Sequence, residues 1–431
     1  MSVVARSKTA SAGAGGLDVR ALAERLFNAL REATHDTLGV TRESYGPGEQ
    51  KAMEIVKAVA EEHGLATHWD AAANLVMTLE GREPEKPIVI CGSHLDSVPQ
   101  GGNFDGAAGV IAGLLCLVRL KAEGIVPPRT IATMALRGEE SAWFGKAYLG
   151  SSALFGELSE EDLAATSQGS GRSLAEAMRA RGADVERIAR REPLLDPHSV
   201  ACYFELHIEQ GPVMVARGFP TAIVTGIRGN LRHKSVLCIG EAGHSGAVPR
   251  WLRRDAVFAT AELISHLDEH WQVLLERGLD LVVTVGIIAT NPAEHAMSRI
   301  PGEVSFSFEV RSQSIETLEA FYHLMRTECR TIGAARKVEF RFDRRIDSKP
   351  ARMNEHLIEK LVALSERLGL PTETLPSGAG HDASLFANAG IPAAMIFVRN
   401  DHGSHNPREA MELGDFMKGV ELLYHALQEA P

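Results

Sequence analysis

The chain has 431 residues, a length that fits two or three domains, and its 56 acidic and 45 basic side chains give a formal charge of −11. Hydrophobic residues make up 45% and charged residues 23%, which is typical of a globular protein and excludes a disordered chain, a coiled-coil rod or a collagen-like fibre. The acidic balance argues against nucleic acid or an anionic membrane as partner, and no apolar run approaches the ~20 residues that span a bilayer.

The chain begins with a segment, through Gly16, that is rich in Ser, Ala and Gly. This segment lacks the apolar centre of a secretory signal, which predicts a cytoplasmic protein. The five cysteines are scattered and never form a CxxC pair. They therefore predict buried thiols rather than disulfides or a cysteine zinc site.

Apolar runs alternate with amphipathic stretches over the first two hundred residues. Their spacing predicts helices at 17–34, 48–64 and 107–122, and buried strands at 87–91, 130–136 and 200–206. The polar segment 159–196 predicts small helices beside the sheet, without a chemical role. Buried strands separated by helices indicate an α/β fold with a largely parallel sheet.

The pattern changes from about residue 220. Strands are predicted at 231–239, 281–289, 304–310 and 337–342, and helices at 254–275 and 315–332. This βαββαβ order is that of a ferredoxin-like α+β unit. The α/β pattern then resumes, with helices at 355–368, after His381 and from Leu413, and a strand at 393–398. We therefore predict one α/β domain, residues 17–219 and 334–431, interrupted by an inserted α+β domain, residues 220–333.

Four of the predicted strands lead directly into His, Asp or Glu. The clusters are His94-Leu-Asp96 followed by Asp105 in Gly-Gly-Asn-Phe-Asp-Gly, then Glu139-Glu140, His207-Ile-Glu209 and Asp401-His-Gly-Ser-His405. Open α/β sheets bind ligands at the carboxyl ends of their strands, and imidazoles with carboxylates suit zinc, manganese or cobalt. One strand-end His is more often structural, but four clusters at four strand ends favour a metal site.

The residue types also fit the chemistry of two neighbouring metal ions. The short side chain of Asp105, on a Gly-rich loop, is suited to bridge them. Asp96, two residues after His94, is placed to hold the second nitrogen of that imidazole. One of Glu139 and Glu140 can bind metal, and the other can accept a proton from a water that the metal activates.

Together these motifs resemble the M20 metallopeptidase superfamily, and more narrowly its amidase/carbamoylase branch. That branch contains N-carbamoyl-L-amino acid hydrolases, β-ureidopropionases and allantoate amidohydrolases. The segment Glu205-Leu-His-Ile-Glu-Gln-Gly211 is especially specific to it, because peptidase branches usually have a carboxylate where His207 stands. The resemblance runs from about residue 37 to about residue 420, and it implies a zinc-peptidase-like catalytic domain with an inserted lid that dimerises.

The resemblance implies a role for each residue of the predicted metal site. It places His94, Asp105 and His207 on one divalent metal ion, and Asp105, Glu140 and His405 on the other. The metals would be zinc or manganese, with cobalt or nickel also accepted by these ligands. Glu139 would be the general base, and Asp96 would orient His94.

The resemblance also implies residues that contact the substrate. His244 would reach across a homodimer to stabilise the oxyanion, and Arg311 would bind a substrate carboxylate. Asn230 and Ser298 stand where the branch usually has Gln and Asn, which contact substrate. His381 lies in a Gly-rich turn that predicts either a helix cap or a substrate contact.

Two further departures from the branch concern the same region. Ser141-Ala-Trp-Phe144 replaces the usual Gly-x-Arg-Phe after the paired glutamates, and Glu309 replaces an Asp two residues before Arg311. The predicted metal ligands are intact, while the predicted recognition residues are altered. The sequence therefore specifies the type of reaction better than the substrate.

The leading hypothesis is a binuclear metal amidohydrolase that acts on N-carbamoyl-L-amino acids or a related ureido acid. Its partners would be a small carboxylate-bearing substrate and a second copy of the chain. A dipeptidase or aminoacylase would keep the mechanism and change the substrate. A non-catalytic relative would be expected to have lost Glu139 or a metal ligand, and every expected one is present.

Overall fold

A computed structural model of the chain describes residues 17–371 and 373–431, so the predicted leader through Gly16 lies outside the described residues. Its helices are α1 (Val19–Thr34), α2 (Pro47–Glu62), α3 (Ala107–Ala122), α4 (Leu149–Leu154), α5 (Glu160–Ala164), α6 (Leu174–Ala180), α7 (Val185–Ala189), α8 (Val213–Arg217), α9 (Ala256–Glu276), α10 (Ile315–Arg336), α11 (Glu355–Arg367), α12 (Ala383–Asn388) and α13 (Leu413–Gln428). No helix in these ranges is long and apolar enough to cross a bilayer.

The strands form one large sheet, one medium sheet and two short hairpin-like pairs. They are β1 (His35–Asp36), β2 (Gly39–Val40), β3 (Ala66–Trp69), β4 (Leu75–Leu79), β5 (Ile88–His94), β6 (Ile131–Leu136), β7 (Val200–Ile208), β8 (Thr221–Ile227), β9 (Gly229–Ile239), β10 (Gly243–His244), β11 (Val282–Thr284), β12 (Ile288–Ala289), β13 (Arg299–Ile300), β14 (Glu303–Ser312), β15 (Glu339–Phe342), β16 (Ile346–Ser348), β17 (Ala351–Arg352), β18 (Thr374–Ser377) and β19 (Ala393–Val398).

The large sheet has nine strands in the order β17-β8-β19-β7-β5-β6-β4-β3, with β18 beside β8. Its middle strands, β19, β7, β5 and β6, pair in parallel, and the strands outside them pair mostly antiparallel. Every residue of β6 and β19 is buried, because helices cover both faces of the sheet. The predicted α/β fold with a mostly parallel sheet is confirmed.

A separate apolar core lies on each face of this sheet. On one face α3 is the central helix, and since it is apolar around its whole circumference it is enclosed by the sheet and by α1, α2 and α13. On the other face, short helices from the polar segment 159–196 contribute Leu174, Met178 and Ile188 to the core. The prediction of small helices beside the sheet is correct.

The inserted domain has a six-stranded antiparallel sheet in the order β11-β14-β9-β15, with β12 on β14 and β16 on β9. β14 alternates buried and less buried residues, because α9 and α10 cover one face only. The strand predicted at 281–289 is in fact two, β11 and β12, which both pair with β14. The ladder breaks at residues 285–287, around Gly286.

Strand pairing places the domain boundaries differently from the sequence pattern. β8 belongs to the nine-stranded sheet, whereas β15 and β16 belong to the sheet of the insertion. We propose on this basis that the insertion spans residues 229–348 rather than 220–333. No strand was predicted at 221–227, and the predicted boundary at residue 333 left out the strand at 337–342 that the βαββαβ order already contained.

Candidate metal centre

The carboxyl ends of the four parallel strands meet at one edge of the large sheet. β5 ends at His94, and β7 carries His207 as its last residue but one. β6 is followed by Glu139 and Glu140, and β19 is followed by the loop with His405. The β19-β7-β5-β6 order therefore brings together side chains that lie far apart in the sequence.

The first candidate metal group consists of His94, Asp105 and His207. Asp105 Oδ1 lies 3.4 Å from His94 Nε2 and 3.3 Å from His207 Nε2. Gly106 follows Asp105 with a φ of +64°, and a Cβ there would lie 2.5 Å from the His94 ring. Only glycine fits this approach of the loop to the imidazole.

The second group consists of Asp105, Glu140 and His405. His405 Nε2 lies 3.1 Å from Glu140 Oε1 and 3.4 Å from Asp105 Oδ2. Asp105 thus offers one oxygen to each group, which is the arrangement of a carboxylate that bridges two metal ions. The sequence predicted these two groups, and the structure brings each of them together.

The donor atoms of the first group fit a cation. Asp105 Oδ1 is buried and accepts no hydrogen bond. His94 Nδ1 lies 3.1 Å from Asp96 Oδ1, and His207 Nδ1 lies 2.9 Å from the carbonyl of Ile208, so each Nδ1 is placed to donate. His207 Nε2 accepts the Gly106 N–H at 3.2 Å, whereas His94 Nε2 and Asp105 Oδ1 face each other without a hydrogen atom between them. A divalent cation, or a proton retained on the imidazole, would satisfy these two buried acceptors.

The electrostatics of the second group favour a cation as well. Hydrogen bonds with Asp105 and Glu140 raise the pKa of His405 to about 11, although partial burial opposes this. The negative electrostatic potential that keeps His405 protonated at such high pH also attracts a divalent metal ion.

Asp96 holds the site together from behind. Besides orienting His94, its carboxylate accepts backbone N–H groups from Glu139 at 3.0 Å and Glu140 at 3.1 Å. The Ser44 hydroxyl donates to it at 2.6 Å. Asp96 therefore fixes the paired glutamates as well as the imidazole, a second role that the sequence did not reveal.

Glu139 is placed to act as a base beside the first group. Its Oε2 lies 3.9 Å from His94 Nε2, and its side chain lines a cavity that Glu140 and His405 also line. Burial raises the pKa of Glu139 well above its usual range, His94 opposes the rise and the charge of Glu140 adds to it. A raised pKa makes the carboxylate a stronger acceptor of protons.

Three further side chains hold Asp105 in place and were not predicted. Gln210 Nε2 donates to Asp105 Oδ2 at 2.7 Å, and the Ser404 hydroxyl contacts the same oxygen. Glu409 accepts the backbone N–H of Phe104 at 2.8 Å and also contacts Ser404. Burial raises the pKa of Glu409 to about 7, and the charge of Asp105 adds to this. Gln210 and Ser404 stood inside the sequence motifs, but nothing marked Glu409.

A third group of possible ligands, Glu205, His207 and His381, lies deeper in the protein. Glu205 already accepts hydrogen bonds from the Ser93 hydroxyl and the Ala383 N–H, both at 2.8 Å. The His381 ring packs edge-on against His207 with centroids 4.4 Å apart, and burial lowers its pKa well below the usual range. We therefore interpret this group as support for His207.

A cavity of about 600 Å³ opens beside the second group, with Glu140 and His405 of that group in its lining. Its lining includes Glu139, Glu140, Tyr148, Gln210, Arg228, Arg232, Arg311, Gly378, Gly380, Ser404 and His405. Arg311 Nη1 donates to the carbonyl of Gly378 at 2.8 Å, and Nη2 lies 3.1 Å from Glu309. The predicted carboxylate-binding residue Arg311 therefore faces the same cavity as the metal groups.

Four other predicted residues do not line this cavity in the chain itself. Asn230 and His381 are buried beside it. His244 and Ser298 are exposed at the two-stranded antiparallel pair β10–β13 of the insertion, where the Ser245 N–H donates to the Ser298 carbonyl at 2.8 Å. His244 and Ser298 could contact a ligand in this cavity only through a second copy of the chain or a movement of the insertion.

Comparison with known proteins adds independent findings. The sequence model of Peptidase family M20/M25/M40 matches residues 90–429. The N-carbamoyl-L-amino acid amidohydrolase of Geobacillus stearothermophilus is 36% identical over 409 residues, which cover 94% of this chain and 97% of that protein. The allantoate amidohydrolase of Escherichia coli K12 is 32% identical over 386 residues, covering 89% and 91%. A hydantoinase/carbamoylase family amidase from Burkholderia ambifaria superimposes with a TM-score of 0.83 at 29% identity, covering 95% and 96%.

Proposed function

The chain belongs to the M20/M25/M40 peptidase family, as its motifs indicated, and we propose that it is a binuclear metal-dependent amidohydrolase. Its substrate would be an N-carbamoyl-L-amino acid or a related ureido acid. The observation that carries the proposal is Asp105, whose two oxygens face two separate groups of His and carboxylate ligands. The names of the relatives support hydrolysis of a C–N bond that is not a peptide bond.

When bound, the two divalent ions would supply the Lewis acidity that makes water a nucleophile near neutral pH. The chain itself supplies the proton transfers. Glu139 would take a proton from the attacking water and deliver it to the leaving nitrogen. Asp96 would keep Glu139 in position, since it accepts the Glu139 N–H at 3.0 Å.

Arg311 would orient the substrate from the other wall of the cavity. Its planar guanidinium suits a carboxylate, and it is already fixed by Gly378 and Glu309. A substrate held there by its carboxylate would extend its ureido or carbamoyl group towards Glu139. For a carbamoyl substrate, the products would be the amino acid, ammonia and carbon dioxide.

We further propose that the active form is a homodimer in which His244 of one subunit acts on the cavity of the other. In its own chain, His244 is exposed on the short strand β10 and does not line the cavity. The insertion also exposes large apolar side chains, including Ile287, Ile288 and Met297. A second copy would bury such side chains and place His244 beside the developing oxyanion.

The test is hydrolysis of a substrate panel by chelated protein reloaded with zinc or manganese. The panel contains N-carbamoyl-amino acids, ureidopropionate, allantoate, N-acetyl-amino acids and dipeptides. We expect metal-dependent turnover of carbamoyl or ureido compounds only. Turnover of acyl or peptide substrates instead would contradict the proposed substrate class while keeping the metal chemistry. Absence of any turnover would favour a non-catalytic relative.

A further inference from the structure

Arg228 is a cavity residue that none of the predicted substrate contacts includes. It stands between β8 and β9, where the chain crosses from the large sheet into the insertion. Its side chain is 18% exposed and lines the cavity, whereas the neighbouring Asn230 is buried and does not. The structure therefore places the guanidinium of Arg228, rather than the predicted amide of Asn230, in the lining of the cavity.

The guanidinium of Arg228 is held in a fixed orientation with one nitrogen free. Its Nε and Nη2 bind the carboxylate of Asp280, with Nε at 2.9 and 3.0 Å from the two oxygens. Its Nη1 makes no hydrogen bond to any residue that the structure describes. That Nη1 lies 3.6 Å from where a Cβ on Gly378 would stand, and the carbonyl of Gly378 is the one that binds Arg311. The two guanidiniums thus approach the same glycine.

The charges at this end of the cavity leave one positive charge without a partner. Asp280 neutralises Arg228. Glu309 contacts both Arg232 and Arg311, so one carboxylate serves two guanidiniums. Three cations and two anions give a net charge of +1, which a single carboxylate would neutralise.

We propose that Arg228 determines substrate specificity, with its free Nη1 donating a hydrogen bond to the carboxylate that Arg311 also binds. This inference rests on the proposed function and sharpens it. Two guanidiniums that converge on one carboxylate select ureido or carbamoyl acids over the corresponding amides.

The test compares the binding of an acid and its amide. The two probes are N-carbamoyl-L-alanine and N-carbamoyl-L-alaninamide, measured by calorimetry on metal-loaded dimer carrying Glu139→Gln to prevent turnover. Arg228→Gln should weaken binding of the acid about tenfold to hundredfold, as expected for loss of a charged hydrogen bond, and leave the amide unchanged. Arg345→Gln is the matched control, since Arg345 forms a similar forked pair with Glu319 on the insertion and does not line the cavity.

A second variant separates the substrate contact from the unpaired carboxylate that Arg228→Gln leaves behind. Arg228→Gln with Asp280→Asn removes both charges and restores the net charge of +1, so any loss of acid binding that remains reports the missing Nη1 hydrogen bond. We expect a loss of about tenfold to remain. Recovery of acid binding in this double variant would overturn the inference, as would equal losses for acid and amide. If the Glu139→Gln parent does not bind N-carbamoyl-L-alanine, the inference also fails. Turnover of the substrate panel by the unmodified enzyme shows separately whether the proposed function stands.

Discussion

The metal-facing wall of the cavity contains the buried glutamates Glu139 and Glu140 and the more open His405, whereas the wall contributed by the insertion is made of partly exposed arginine–carboxylate pairs. The side chains of Glu139 and Glu140 are 11% and 6% exposed and that of His405 is 51% exposed, compared with 28% for Arg311 and 42% for Arg232. The first wall rests on a parallel sheet that is buried on both faces. The second rests on an antiparallel sheet with one face covered by helices.

This difference suggests that the metal-facing wall serves the reaction and that the wall of the insertion serves substrate recognition. Each metal-facing side chain has several fixed partners, so a substitution there disturbs its neighbours too. The arginines of the insertion pair with only one or two carboxylates, so they can change with less effect on the rest of the fold. The resemblance of the motifs implies the same division, since the expected metal ligands are present while Asn230, Ser298 and Glu309 replace the residues expected there.

The largest expected effect is that of metal removal. A chelator should reduce turnover more than a thousandfold, and zinc or manganese should restore it, because the water needs Lewis-acid activation. In the Asp105→Asn variant, zinc or manganese should not restore turnover, since the Asp105 side chain belongs to both metal groups. Turnover and metal content are measured on the same samples. Full activity in metal-free protein would contradict the metal-facing wall as the reaction centre.

The second expected effect concerns the base. Glu139→Gln should lower kcat by about 10²–10⁴, the range that general acid–base catalysis supplies. Its metal content should stay unchanged, because Glu139 belongs to neither metal group. Steady-state kinetics and elemental analysis provide the two readouts. A kcat near that of the parent would remove Glu139 from the mechanism.

The third expected effect concerns the support beneath the glutamates. Arg137 and Glu49 form a fully buried ion pair, and Glu49 also accepts the Gly138 N–H at 2.9 Å. Glu49→Gln should lower the free energy of unfolding by about 3–5 kcal/mol, because it leaves a buried guanidinium without its counter-charge. Denaturant unfolding measures this.

An exposed ion pair provides the control for Glu49. Glu186 pairs with Arg179 at 3.0 Å, with both side chains more than half exposed. Glu186→Gln should change the free energy of unfolding by at most about 1 kcal/mol. Equal losses from the two variants would show that burial does not distinguish the scaffold of the metal-facing wall from surface pairs.

A smaller effect is expected at the wall of the insertion. Arg311→Lys keeps the charge but loses the planar fork, so KM should rise about tenfold for carboxylate substrates while kcat changes little. Steady-state kinetics on the preferred substrate test this. A large loss of kcat with an unchanged KM would mean that Arg311 serves the reaction rather than substrate binding.

The smallest expected signal comes from mixed dimers. His244→Ala and Glu139→Gln subunits should each be poorly active alone, but a hybrid dimer contains one site with both native residues. After subunit exchange at equal amounts, half of the dimers are hybrids, so about a quarter of the parental activity should return. No recovery in verified hybrids would contradict the contribution of His244 across the interface.

The sequence was most informative where local pattern and burial agree. The apolar helix at 107–122 and the strand at 393–398 have the predicted bounds, because both are surrounded by core on all sides. The two metal groups were also predictable, since their members follow consecutive buried strands. Parallel pairing then brings these strand ends to one edge of the sheet.

What the sequence could not show depends on contacts between distant residues. Glu409 binds the Phe104 N–H across 305 positions, and no periodicity records such a bond. β8 and β9 join different sheets although they adjoin in the chain, which displaced the predicted domain boundary. Arg228 remained unnoticed because its role depends on where Gly378 lies in the fold.

The most direct test of the account is a metal titration of chelated protein with turnover of an N-carbamoyl-L-amino acid as the readout. We predict that turnover rises with bound zinc or manganese and reaches its plateau at two ions per chain, one for each group that shares Asp105. Turnover that does not depend on added metal would contradict the central claim. Full turnover in protein whose two Asp105 groups hold no metal would contradict it as well.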